Sequence, residues 1–181
     1  MPLLREHQYT IDDIYNLPEG CRAELIGGQI YDMAPPSRKH QEIVHFLDRI
    51  IGNYIANHSG DCKIYPAPFA VFLNKDDTTY VEPDLSIVCD SNKLNDKGCN
   101  GAPDWVIEIV SPSSKSLDYY TKLALYRGAG VREYWIVDPL KKTILVYDVE
   151  HGDGPIICSF NDIIRANIYN DLEIDFSKLD I

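Results

Sequence analysis

Two acidic residues stand where a charge is costly. Asp84 lies in VEPDLSIVCD, residues 81–90, and Glu108 in DWVIEIVSPSS, residues 104–114, each a short run rich in β-branched and aliphatic residues. A carboxylate in an apolar strand must shed its water, at a cost of several kcal/mol unless a cation or several hydrogen-bond donors compensate. Taken singly, each has a simple reading: Asp84 caps the entrance to its strand, and Glu108 pairs with a surface lysine. Taken together, they call for a compensating partner beside them. A lysine stands within helical reach. Asp118, Lys122 and Tyr126 follow Glu108 at i, i+4 and i+8, one stripe of one helix face. On a solvated helix the stripe is an Asp–Lys surface pair; turned inward, it carries an ammonium to the carboxylates.

These side chains need elements to hold them. YTIDDIYNLPE, residues 8–18, predicts a short helix with Thr10 as N-cap and Pro18 as stop. RAELIGGQIYDMA has two alternating runs around Gly27 and Gly28, a tight β-hairpin with Glu24 on its first strand. After Ser37, the residues Ile43, Val44, Leu47, Ile50, Ile51, Tyr54 and Ile55 recur at helical spacing, predicting an amphipathic helix over 38–57 that opens with His40, Gln41 and Glu42. CKIYPAPFAVFL is extended, its prolines marking an edge or bend. PDLSIVCD is a strand begun by Pro83, and SNKLNDKGCNGAP reads as a polar loop. WVIEIV has the nearly continuous apolar character of a strand covered on both faces. SPSS offers caps for a helix from about 114 to 128, stopped by Gly128 and Gly130. REYWIVDP and TILVYDV are two more strands joined through PLKK, and the final stretch, residues 161–181, has no clear pattern. This order predicts a mixed α/β fold, a central mixed β-sheet flanked by helices, with residues 1–181 as one domain.

The chain has 181 residues and a 45% hydrophobic fraction, enough for a real core. Its 17 basic and 28 acidic residues give a net charge of −11, which excludes a broad electropositive face for nucleic acid. A site in which bound cations supply the positive charge remains compatible with that balance. Basic residues cluster only locally, at Arg38–Lys39 and Lys141–Lys142. The five cysteines are scattered without a C-x-x-C pair, so they are expected to be reduced thiols serving packing, with neither a zinc site nor a disulfide framework. No basic-then-apolar leader and no long apolar run is present, so the expected location is cytoplasmic, with no membrane contact.

Pro83–Asp84 at a strand start, followed by Glu108 inside the next apolar strand, resembles the PD-(D/E)xK nuclease superfamily. EIVSPSSKSLDYYTKLALYRGAGVREYWIVDP, preceded by AELIGGQI and PDLSIV, resembles its Uma-two branch of restriction endonucleases, over about residues 8–150. The common pattern sets a lysine two residues after the second acid, where this chain has Val110. The resemblance implies that the lysine has moved to the following helix, as Lys122. It further implies a restriction-endonuclease-like fold and Mg²⁺ (or Mn²⁺) held by Asp84 and Glu108, with Glu24 binding the metal directly or through water. Lys122 would orient the attacking water or stabilise phosphorane charge. His40 would contact phosphate or a ligand. DNA is the implied substrate, and a homodimer would suit two-strand cleavage. Two other readings are open. The net charge and displaced lysine favour a catalytically inactive nuclease-fold module for binding or assembly, and the same chemistry would serve a hydrolase of smaller phosphate esters.

Overall fold

The computed structural model describes residues 7–152 and 154–181. Its first elements start where the sequence caps them. In α1 (Ile11–Tyr15) the Asp13 carboxylate accepts hydrogen bonds from the Thr10 amide at 2.8 Å and its hydroxyl at 3.1 Å, so the helix begins one residue after Thr10. It ends after five residues, short of the predicted 8–18. The hairpin of β1 (Ala23–Ile26) and β2 (Gln29–Asp32) turns at Gly27 and Gly28, whose φ angles of 58° and 78° suit the left-handed pair of a tight turn. Helix α2 (Arg38–Asn57) fills the predicted span, and Ser37 Oγ accepts from the His40 amide at 3.2 Å. Ile43, Leu47 and Ile51 form its fully buried stripe.

The strands that follow are β3 (Lys63–Pro66), β4 (Val71–Phe72), β5 (Leu85–Val88), β6 (Leu94–Asn95), β7 (Gly98–Asn100) and β8 (Trp105–Ile109). A π-helical segment, Leu117–Lys122, then runs directly into α3 (Leu123–Ala129). β9 (Glu133–Asp138), β10 (Thr143–Asp148), β11 (Ile156–Ser159), β12 (Ile163–Arg165) and β13 (Glu173–Asp175) complete the chain. Six strands form the central sheet in the order β11-β10-β9-β8-β5-β3. Only β8 and β9 run parallel within it, so the sheet is mixed. Alternation along β8 divides two cores: Trp105, Ile107 and Ile109 pack with α2 on one face, while Val106 joins Tyr126, Tyr134 and Ile136 on the other. Every residue of β8 and β9 is buried, as a doubly covered strand requires.

Three expectations are corrected. Residues 91–103 are not a plain loop, because β6 and β7 pair with each other and β7 joins β4 in a small three-stranded sheet. The unassigned C-terminus forms the β12–β13 hairpin, whose Ile164 and Ile174 enter the α2-side core with Leu172 and Phe176. The cysteines are not all free: Cys62 and Cys89 form a disulfide. The register pairs Lys63 with Val88, so the two cysteines face each other across β3 and β5 despite a separation of 27 residues. Among the described residues no helix is long and apolar enough to cross a membrane.

Candidate active site

Strand register brings the two carboxylates together. β5 pairs antiparallel with β8, Leu85 opposite Ile107, so the next pair outward is Asp84 and Glu108, on the same face of the sheet. The Asp84 amide approaches Glu108 Oε2 at 3.4 Å. Asp84 Oδ2 accepts from the Ile109 amide at 2.8 Å and lies 3.1 Å from His40 Nε2, so α2 contributes its first turn to the site. Burial lowers the proton affinity of His40, but its hydrogen bond and charge attraction to Asp84 outweigh that and leave its pKa raised.

Behind this pair lies a buried cation. The side chain of Lys122 is 5% exposed, and its Nζ stands 2.9 Å from Glu108 Oε1, 2.8 Å from Glu24 Oε2 and 3.6 Å from Asp118 Oδ1. Desolvation pulls the lysine pKa down, but the charges of Glu108, Glu24 and Asp118 together push it well above its ordinary value. The lysine is held protonated. Tyr126 donates to Glu108 Oε1 at 2.7 Å, so that oxygen is fully engaged while Oε2 faces Asp84. Glu24, on β1, accepts from the Glu82 amide at 3.0 Å through its other oxygen. Ser114 donates to Asp118 Oδ2 at 2.5 Å, leaving Oδ1 buried and without a hydrogen bond.

The electrostatic balance is lopsided. Glu24, Glu108 and Asp118 surround a single lysine, and Asp84 stands beside Glu108. Burial, then the neighbouring carboxylates, raise the pKa of Glu108 well above the usual range against the pull of Lys122. Asp118 is pushed up to about 6, mainly by desolvation. Among the described residues no three His, Cys, Asp or Glu side chains are gathered into a ready-made metal cluster. The donor set nevertheless fits a hard divalent cation: excess carboxylate, an Asp84 Oδ1 with no hydrogen bond among the described residues, and Glu108 Oε2 beside it.

The structure therefore brings Asp84, Glu108, Lys122, Glu24 and His40 to one end of the sheet. It adds Asp118, Tyr126 and Ser114. Asp118 and Tyr126 were visible as the helical stripe with Lys122, whereas Ser114 reads in sequence only as a cap. The π-helical winding keeps Asp118 and Lys122 on one inward side, where both are buried.

The sequence profile described as "Uma2: Putative restriction endonuclease" matches residues 11–173. The chain belongs to the Uma2 family. An uncharacterized protein of Synechocystis sp. is 28% identical over 132 residues, covering 72% of this chain and 67% of its own length. The crystal structure of "a putative nuclease belonging to DUF820" from Anabaena variabilis superposes with a TM-score of 0.75 at 21% identity, covering 94% of this chain and 96% of that one. The Uma2 chain thus shares its fold with that protein, and the mixed central sheet expected from the sequence is the sheet observed.

Proposed function

We propose that this Uma2 protein is a metal-dependent nuclease that hydrolyses DNA phosphodiester bonds at the Asp84–Glu108 site. The observation that carries the reading is the pairing of these carboxylates across β5 and β8, backed by a buried, protonated Lys122. Asp84 and Glu108 would hold Mg²⁺ or Mn²⁺ through Oδ1 and Oε2. When bound, such an ion polarises the phosphodiester and makes water a better nucleophile. His40 and the Ile109 amide fix the remaining Asp84 oxygen, and Tyr126 fixes Glu108. Lys122 would bring a positive charge toward the charge that develops on the phosphoryl oxygens. Glu24 positions that ammonium and would reach the ion directly or through water.

A second reading has its own support: a binding or assembly module without catalysis is favoured by the three carboxylates that already satisfy Lys122 and by the lack of a preformed three-residue metal cluster among the described residues. The readings part on one experiment. Single-stranded, duplex and branched DNA are incubated with Mg²⁺, Mn²⁺ or chelator, and Mn²⁺ binding is followed in parallel. The nuclease reading expects metal-dependent cleavage, with D84A and E108A losing both cleavage and Mn²⁺ binding and K122A losing cleavage alone. Cleavage by D84A, or none by the wild type despite bound metal, overturns it.

A further inference from the structure

Beside the acidic site lies a groove of opposite character. Its volume is about 370 Å³, and Ser113, Lys115, Ser116, Tyr119, Tyr120 and Lys141 line it. In a chain of net charge −11, two lysines, two tyrosines and two serines are gathered here with no carboxylate in the lining. Tyr119 is tied back, donating to Asp138 Oδ2 at 3.0 Å, and the half-exposed Lys141 Nζ lies 3.8 Å from that same oxygen and 4.9 Å from the centre of the tyrosine ring. Tyr120 is different. It is 74% exposed, an aromatic face offered to solvent.

The groove is joined to the acidic site through the chain that builds both. Ser113 lines the groove, and its neighbour Ser114 donates to Asp118 inside the site; Ser111 Oγ lies 3.1 Å from Ser113 Oγ and donates to Ser114 Oγ at 3.0 Å. Lys141 follows β9, the parallel neighbour of the strand that carries Glu108. Groove and carboxylates therefore share the end of the sheet where β8 and β9 finish.

We propose that this groove binds an unpaired nucleotide of the nucleic-acid strand whose phosphodiester lies at Asp84 and Glu108, a proposal that rests on the nuclease reading. Lysine ammoniums and serine hydroxyls match phosphate oxygens, and an exposed tyrosine matches the face of a base. The volume suits one nucleotide. Stacking on Tyr120 requires a base with a free face, which a duplex interior does not offer. The groove thus selects single strands, or the unpaired arm of a branched substrate, over continuous duplex.

The test is fluorescence anisotropy of a labelled oligothymidylate and a duplex of equal length, on the full chain with Ca²⁺ and again with chelator. Y120A should weaken single-strand binding roughly tenfold, the order expected for one lost stacking platform, while Y120F stays within about twofold of wild type. Duplex affinity should be unmoved by either change. K115Q should lower the slope of log affinity against log salt by about 0.7, the share of one phosphate contact on a single strand. Circular dichroism of each variant confirms folding. Wild-type affinity in Y120A, equal losses for single strand and duplex, or no strand binding at all overturns the proposal, as does equally tight binding of an acidic oligoglutamate peptide. A Tyr120-dependent single-strand affinity that persists in D84A, in a protein that cleaves nothing, would keep the groove and discard the nuclease reading. Cleavage by the wild type with unchanged binding and cleavage by Y120A would do the reverse.

Discussion

Three carboxylates around one ammonium, with Asp84 beside them, cannot all be ionised cheaply, and that frustration has measurable consequences at single residues. Asp118 has a folded pKa of about 6 against an ordinary 3.8, with burial as the main cause. Below the lower value both states hold the proton; between the two, the unfolded chain ionises first while the native state keeps its proton, so stability falls as pH rises through that window. The loss is on the order of 2–3 kcal/mol. D118N removes this titration, and the difference between wild-type and D118N unfolding free energies, measured by urea denaturation from pH 3.5 to 7, should change mainly across that interval. A constant difference would contradict the assignment. Removing the lysine should steepen a dependence of the same sign. K122A leaves Glu24, Glu108 and Asp118 facing one another without a cation, at a cost of about 3–5 kcal/mol near neutral pH. Part of that should return on acidification as the carboxylates take up protons, which the same titration reads.

Elements carry the next layer, and Glu133 shows how one buried acid can pin a whole segment. It opens β9, is fully buried, and accepts from the Asn167 and Ile168 amides at 2.8 and 2.9 Å and from the Trp135 indole at 2.6 Å. The bonds from Asn167 and Ile168 hold the connection between β12 and β13 against the sheet. E133A leaves those donors unsatisfied and should lower stability by about 3 kcal/mol or more, with loss of amide protection first at residues 163–176 in hydrogen exchange. Uniform loss across the sheet would argue against a local clasp. Neither this clasp nor the C-terminal hairpin was legible in the sequence: the clasp joins residues more than thirty positions apart, and the hairpin, though its own strands pair locally, is buried only by α2 and the central sheet. Asp84 and Glu108 were legible because a charge inside an apolar run contradicts its surroundings, and that contradiction is local. Lys122 was legible through spacing alone. The burial of Asp118 was not, since only the packing of Tyr126 and Tyr134 above the sheet decides whether that stripe turns inward. The hairpin at Gly27–Gly28 and α2 were read nearly to the residue, each fixed by its own turn or cap.

For the whole molecule, the net charge of −11 makes any nucleic-acid contact local. Duplex binding should show a shallow salt dependence, about 0.9 per phosphate neutralised and few phosphates in total, and Ca²⁺ should strengthen it in wild type but not in D84A. Affinity measured at several salt concentrations decides this; tight, metal-independent binding with a steep slope would require a basic surface built by association of chains. The Cys62–Cys89 bond acts at the same scale, closing a chain separation of 27 residues between β3 and β5. Its reduction should cost about 3–4 kcal/mol, read from urea unfolding with and without dithiothreitol. The bond also has a bearing on solubility. β3 is the outermost strand at its end of the sheet, and β5, the next one in, spans Leu85–Val88, aliphatic apart from Ser86 and buried throughout. Cut the disulfide and let β3 fray, and β5 becomes an open edge of unpaired amides flanked by aliphatic side chains, a template for adding strands from other molecules. In reducing buffer at high protein concentration the chain should slowly form thioflavin-positive cross-β aggregates, while the oxidised protein stays clear.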